Sequence, residues 1–457
     1  MAPSTKGLLC VPAEKGSNIR IRCWLSLGAA PLEQVEMSKS DFRRFVPEMG
    51  KAFHFGMSPQ QFYDAVIAVR GPRRKAGVEK YLSKPFKGIT TDGKILPDLF
   101  ALRREHAPTR EILKAMSAFL SQLSPEQKKA VCLPIESRER ELWQNSIVRY
   151  ENFGLRLDEI PSILKEAAMM VIKASLSAAG YEKTRSLMKL NGFLGELVGA
   201  PRLLGEWCYQ LHVFGEPSLT EPWGWQLSGH HLIITCFILG DQMTLTPTFM
   251  GAEPKHVDEG KFAGITVFED EERLGLQFAR NLSAEQKLKA VFSETLLPDQ
   301  LPPGRHQGDD GMSFGGRYKN NEVIPYEGVS GAQLCAQQRQ ALLDLTKCYL
   351  STLPSGPFEV RMDDVERHLL ATHFCWAGGM GEESAFYYRI QSPVVMIEFD
   401  HHKGVVLNNT QPEKFHVHTI VRTPNGNDYG MDLLRLHYET APHHKARHQQ
   451  RRLRDER

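Results

Sequence analysis

Helix-forming and strand-forming stretches are segregated along this chain, and that segregation restricts the fold more than any other feature. From about 108 to 205 apolar residues recur at helical spacing, as in "TREILKAMSAFLSQL". Between 223 and 254 the pattern turns β-branched and aromatic, "WGWQLSGHHLIITCFILGDQMTLTPTFMGAEP". There Gly240-Asp241 is a two-residue signal for a primed turn, so a hairpin is expected. Helical patterns return at 283–292 and 331–352, and strands again in "HFCWAG", "AFYYRIQ", "PVVMIEFD" and "FHVHTIVR". Two strand blocks parted by helices predict an α+β fold, not alternating βαβ units. The expected architecture is two antiparallel β blocks forming a central sheet or distorted barrel, covered by helices.

Local signals refine this. Ser124 suits an N-cap with Pro125 in the first turn, and Ser283 with Gln286 matches a capping box. "LDEIPSILKEAAMMVIKASLSAAG" and "EKTRSLMKLNGFLGELVG" predict two amphipathic helices ending on glycine, the first with Pro161 near its start. The stretch "RGPRRKAGVEK" (70–80) reads as a solvated loop, and "LPPGRHQGDDGMSFGGRYKNNEV" (301–323) as a long exposed loop or lid. Residues 1–85 are expected to be an N-terminal extension, 86–445 a single α+β body, and 446–457 a basic tail. Within the body the expected order is a helical layer (108–205), a β block (208–270), helices (283–352) and a second β block (372–425).

Charge and composition exclude some functions. Lys plus Arg (56) nearly balance Asp plus Glu (54), and no basic stripe marks the folded part, so no nucleic-acid partner is expected. "LIITCFIL" is too short to span a bilayer and the N-terminus lacks the apolar core of a secretory signal, so the expectation is no membrane partner and a cytoplasmic protein. Eight cysteines without a CxxC pair read as reduced packing residues, a Cys-His-Asp triad being the alternative. No glycine-rich fingerprint follows a strand, which argues against a nucleotide cofactor.

The chemistry is concentrated in the strands. Side chains two apart on a strand share a face, so His416 and His418 present both imidazoles to one side. Glu398 and Asp400 do the same with carboxylates in "IEFDHH", which His402 extends if the strand runs that far. Adjacent antiparallel strands would bring these groups into one site suited to Zn, Fe, Mn or Cu. The alternative is a solvated histidine pair, with the carboxylates in salt bridges to Arg389 or Arg422. In "GHH" (229–231) adjacent residues on an extended chain face opposite ways, so one histidine is expected in the pocket. His231 is favoured over His230, the alternative being a hydrogen-bonded turn histidine. Trp223, Trp225 and Gln226 either wall a substrate pocket or belong to the core. Arg422 could clamp a substrate carboxylate or pair with Asp428. Tyr387 and Tyr388 offer one pocket-facing hydroxyl between them, taken here as Tyr388. His437, His443 and His444 read as solvated.

The stretches "KGITTDGKILPDLFALR", "GEWCYQLHVFGEPSLTEPWGWQLSGHHL", "GDQMTLTPTFMGAEP", "YYRIQSPVVMIEFDHH" and "FHVHTIVRTPNGNDYGMDLLRLHYE" closely resemble the family catalogued as domain of unknown function 3500, over roughly residues 85 to 445. The resemblance matches the family's Gly-His-His, Glu-x-Asp and His-x-His blocks to His230 and His231, Glu398 and Asp400, and His416 and His418. Ser228 stands where members commonly carry the aspartate of "DGHHL", which puts a second contact to a histidine in question.

The functional expectation is a metalloenzyme with its site between the β blocks. His231, Glu398, His416 and His418 would hold a divalent ion, with Fe favoured over Cu, Zn or Mn. Asp400 would be a further ligand or would fix an imidazole tautomer, and Trp223, Trp225 and Phe399 would wall a small organic substrate. Oxygenase or oxidase chemistry is the first expectation. A zinc- or manganese-dependent hydrolase or lyase is the second, and a non-catalytic small-molecule-binding protein the third.

Overall fold

The structure, a computed structural model, describes residues 41–48, 57–148 and 154–442. Cys10, Cys23, His443, His444 and the basic tail therefore lie outside the described residues.

The two β blocks join into one sheet of 13 strands. Its eight longest members run Tyr209–Phe214, Trp223–Gly229, Leu232–Leu239, Thr248–Ala252, Val417–Arg422, Met396–His401, Phe386–Gln391 and His373–Gly378 across the sheet, each antiparallel to its neighbours. Cys132–Leu133 and Val291–Ser293 lie at opposite ends of this order, so the sheet is open and not a barrel. The seam is the pairing of Thr248–Ala252 with Val417–Arg422, in which Gly251 lies opposite His418 and Ala252 opposite Val417. This one long-range pairing brings the two histidine motifs together.

Helices cover the sheet for reasons visible locally. Ile112, Met116 and Phe119 recur at helical spacing in Thr109–Ser121 and are fully buried. The capping boxes form as expected, Ser124 with Gln127 and Ser283 with Gln286. Gly240-Asp241 makes the expected two-residue turn, with Leu239 paired to Gln242 and Gly240 at φ +60. One helix boundary differs. The first long helix ends at Ser175, and Gly180 sits inside the next helix, Ala178–Leu197. A Cβ at Gly180 would meet Thr352 Cα at 2.8 Å, so that glycine serves a close approach and not a cap.

Three other expectations are corrected. The described residues from Asp41 onward form one compact unit, so the described part of the expected extension packs on the body. Phe42 is fully buried with its ring edge-on to Phe193 and Phe415. The basic stretch 70–80 is helical, part of Pro59–Leu82, which starts on a capping box between Ser58 and Gln61 and continues past Pro72. The supposed exposed loop of 301–323 is held down at its centre, where Met312, Ser313 and Asn320 are buried. Carboxylates of the sheet bind its backbone: Glu398 accepts from Phe314 N and Gly315 N, and Asp400 from Met312 N. An unpaired buried carboxylate is unfavourable, and the loop's amides supply the partners.

Candidate metal centre

The centre is built on two lateral rows across the sheet. In the first, Leu232 pairs with Met250, the carbonyl of His231 accepts from Gly251 N at 2.8 Å, Gly251 lies opposite His418, and His418 lies opposite Asp400. In the second, His416 is one step beyond the Val417–Ala252 pair, beside Glu253, and its carbonyl accepts from His402 N at 2.8 Å. Three imidazoles converge where the rows meet. The Nε2 atoms of His416 and His418 are 3.0 Å apart, those of His418 and His231 3.1 Å, and those of His416 and His231 3.3 Å.

These separations have a chemical meaning. Three nitrogens bound to one ion at about 2.0–2.1 Å stand roughly 3.0 Å apart at right-angled coordination and about 3.4 Å apart at tetrahedral angles. Hydrogen bonding cannot satisfy the whole triangle, because each Nε2 of a neutral imidazole is either a donor or an acceptor, and of three facing one another at least two are alike. A cation relieves that conflict. All three rings are buried. Burial, and after it the neighbouring imidazoles, hold the basicity of His231 and His418 well below the usual histidine value, and burial does the same for His416. The rings are therefore neutral and ready to ligate at physiological pH.

Each ring is held in place. His231 sits in the two-residue turn between Trp223–Gly229 and Leu232–Leu239, with Gly229 paired to Leu232 and its own φ at +60. That left-handed backbone is uncommon for a residue with a Cβ. His230 stacks on His231 with centroids 3.9 Å apart, and its Nδ1 is 2.9 Å from Asn191 Oδ1. Adjacent histidines on a straight strand would have diverged; in the turn they stack. Gly251 leaves the gap over which two rings lean, since a Cβ there would come within 3.0 Å of His418 Cδ2 and 3.2 Å of His231 Cδ2. Behind His416, Glu253 Oε1 is 3.6 Å from Nδ1, a gap that a small ring rotation closes to a hydrogen bond. Glu253 is itself buried, accepts from the amides of Val405, Val406 and Leu407, and is pushed up to about 7 by burial. Sequence reading missed Gly251 and Glu253. A glycine inside an apolar strand was the available signal for the first; nothing local distinguished the second from other glutamates.

A cleft of about 970 Å³ opens onto the cluster, with His230, His231, His402 and His418 among its lining. The Nδ1 of His402 donates to the carbonyl of Lys403 at 2.8 Å, and its ring lies 4.5 Å from that of His418.

The remaining expected site residues are elsewhere. Neither carboxylate of the Glu398/Asp400 pair joins the three nitrogens. Glu398 is occupied by Phe314 N, Gly315 N and the Tyr387 hydroxyl at 2.6 Å. Asp400 stands beside His418, its Oδ1 has no hydrogen-bond partner, and burial drives its carboxyl well above the ordinary range; it is not among the three converging groups. Arg422 is four residues from His418, roughly 13 Å along the strand. It binds Asp428 through Nε at 2.7 Å, Asn320 at 2.6 Å and the Gly315 carbonyl at 2.8 Å, so the salt bridge is observed and the substrate clamp is not. Tyr388 shares a hydrogen bond with Tyr349 and donates to the Glu271 carbonyl inside an aromatic stack with Phe399, away from the cleft. Trp223 and Trp225 are fully buried core residues that donate to the Ser218 carbonyl and Ser175 Oγ. Gln226 donates to Thr235 and the Arg140 carbonyl. Of the expected substrate wall only His230 lines the cleft. Ser228 Oγ lies 3.5 Å from His212 Nε2, so the contact in question at that position is directed to His212, while Asn191 holds His230. The thiols serve packing: burial raises Cys208 to about 11, and Cys348 and Cys375 to about 12.

Two predictions follow from this geometry. His231→Gly removes a ligand and relieves the left-handed backbone. The metal-free variant is expected to be as stable as the metal-free parent or more so by about 1 kcal/mol, while metal binding is lost; paired chemical denaturation and metal analysis check it. The metal-free protein is also expected to lose stability on acidification. His231, His416 and His418 are depressed in the fold, so below the unfolded value of about 6.5 the unfolded chain takes up protons that the fold refuses. That favours unfolding by up to about 1.4 kcal/mol per histidine for each pH unit. Glu253, raised in the fold, works in the opposite sense between about 4.5 and 7 and offsets part of the loss. Melting curves of metal-free protein at pH 7.5 and 5.5 read the net fall, which shrinks when His418 is replaced by asparagine.

Comparison with known proteins agrees with the motif resemblance. The family described as Protein of unknown function (DUF3500) matches residues 105–431. No curated protein and no solved structure matches the chain.

Proposed function

Starting from the fact that this chain belongs to the DUF3500 family, we propose that it is a metal-dependent enzyme acting on a small organic substrate bound in the cleft over His231, His416 and His418. The observation that carries this reading is the triangle of buried Nε2 atoms, 3.0 to 3.3 Å on each side, at the wall of a cleft of about 970 Å³. Three protein nitrogens leave further coordination positions open toward that cleft, which is the arrangement of catalytic and not structural sites.

The donor set bears on the metal. The preference for Fe rested on a carboxylate ligand, and Glu398 is committed to the 314–315 loop backbone and Tyr387. Three neutral imidazoles suit Zn, and they favour it over Mn, which prefers oxygen donors. A bound zinc ion supplies acidified water and polarises a substrate carbonyl, so hydrolase or lyase chemistry is the first reading. The chain's own residues do the rest. Glu253 orients the His416 ring, with Nδ1–H toward the carboxylate and the Nε2 lone pair toward the ion. The turn and the His230 stack fix His231, and Phe62, Leu203 and Leu204 in the cleft wall limit water. Oxidative chemistry at copper or iron is kept as the second reading because imidazoles suit those ions too.

Stripping the protein with a chelator and reloading it singly with Zn, Cu, Fe or Mn tests both. Near-stoichiometric uptake with a raised melting temperature is expected, zinc giving the largest shift. Turnover that survives removal of oxygen supports the hydrolytic reading; turnover that stops without oxygen supports the oxidative one. Failure of every ion to bind would sink both and leave a non-catalytic binding protein.

A further inference from the structure

The lining of the cleft is chemically divided. One part is apolar, with Phe62, Val66, Leu203 and Val405 among its residues. The charged residues that line it are Arg70, Arg317, Lys403 and Glu48, three cations and one carboxylate, with Asp310 paired to Arg317 at 3.9 Å. A divalent ion on the histidines would add to the same sign. A concave site of one sign with low-dielectric walls concentrates ligands of the opposite sign.

Position singles out two of the cations. Lys403 follows His402, whose ring is 4.5 Å from His418 and whose Nδ1 is bonded to the Lys403 carbonyl, so the lysine backbone is fixed beside the cluster. The next residues, Val405 to Leu407, are pinned through their amides to Glu253. A four-carbon stem reaches roughly 6 Å, enough for a lysine that lines the cleft to meet a ligand inside it. Arg317 continues the 308–316 stretch that Asp400 and Glu398 hold to the sheet, and its guanidinium pairs with Asp310 at 3.9 Å. Both cations thus stand on backbone anchored beside the strand that pairs with the one carrying His418.

We infer that the cleft takes an organic carboxylate, its anion held by Lys403 and Arg317 and its apolar body lying against Phe62, Val66, Leu203 and Val405. The inference rests on the reading of the cleft as the substrate site. The clamp that the sequence offered as one of two roles for Arg422 is thereby given to two residues outside the strands. One lysine and one arginine match a monoanion, and the apolar wall matches a carbon skeleton of a few to a dozen heavy atoms within the volume typical of small-ligand sites.

Calorimetric titration with phenylacetate and its neutral isostere phenylacetamide tests this, on zinc-loaded and on chelator-treated protein with metal content measured in parallel. Phenylacetate is expected to bind at least about tenfold more tightly than the amide. Lys403→Gln and Arg317→Gln, both at solvent-accessible positions, are each expected to remove most of that preference and to leave amide binding unchanged. Equal binding of acid and amide to metal-loaded protein would overturn the inference while leaving the metal centre standing. So would variants that bind phenylacetate as the parent does, or a phenyl phosphate that binds more tightly than phenylacetate. Discrimination that persists in protein shown to take up no metal would uphold the carboxylate site and sink the metal centre instead.

Discussion

Replacing His416 and His418 together with alanine is expected to take bound metal from near one ion per chain to below about 0.1, in a protein that still folds. Ion binding to fully formed protein sites is worth about 10–16 kcal/mol, so losing one of three protein ligands weakens it by roughly 3–5 kcal/mol, a factor of about 150 to 5,000, and losing two abolishes retention. The fold should survive because the metal-free protein gains nothing from three ring nitrogens that cannot all satisfy one another. The sheet that carries the cluster is held by ladder hydrogen bonds and by apolar residues of its other face, Val417 and Ala252 among them. Glu253→Gln is the graded control. It keeps all three nitrogens and disturbs only the orientation of His416, so affinity should fall by about 10–100-fold without vanishing. Elemental analysis with circular dichroism reads both. A double variant that keeps its metal would show that the ion sits elsewhere.

Asp428→Ala is expected to be the most damaging single substitution for stability. Arg422 and Asp428 are both fully buried, joined at 2.7 Å, and Asp428 also accepts from Thr423 N at 2.8 Å. Removing the carboxylate strands a buried guanidinium and an unpaired amide, a loss of about 3–5 kcal/mol. In a chain of this size that lowers the melting temperature by roughly 3–6 °C. Converting both partners, Arg422→Met with Asp428→Asn, should recover most of the loss, because no uncompensated charge then remains. Metal content at a permissive temperature should be unchanged in both variants. A loss of metal at that temperature would mean that Arg422 supports the centre and not only the fold.

Local pattern made some of this legible and left the rest open. Period-two alternation was enough to put His416 and His418 on one face, and Ser124, Ser283 and Gly240-Asp241 were read correctly because caps and tight turns are decided by a few adjacent residues. The same parity argument failed for Glu398. It places that side chain on the face of the histidines but is silent about distance along the strand, and two residues of offset put Glu398 beside Ile420 instead of His418. Parity also misled at His230 and His231, because it presumes a straight strand and the chain turns there. The 301–323 stretch looked exposed because its residues are polar and glycine-rich. Its burial comes from carboxylates on a strand some 85 residues away in sequence, 84 for Phe314 with Glu398 and 88 for Met312 with Asp400.

By itself, then, the sequence determined where the two strand blocks lie, several of the helices and which imidazoles share a face, since backbone sterics and side-chain alternation act over a few residues. Tertiary structure alone decided that Thr248–Ala252 zips to Val417–Arg422 in the register that sets Gly251 against His418. That register carries His231 to the other two histidines and makes Glu253, not Glu398 or Asp400, the carboxylate behind the cluster. Pairing between strands about 170 residues apart is set by the packing of the whole sheet, a free energy that no local window contains.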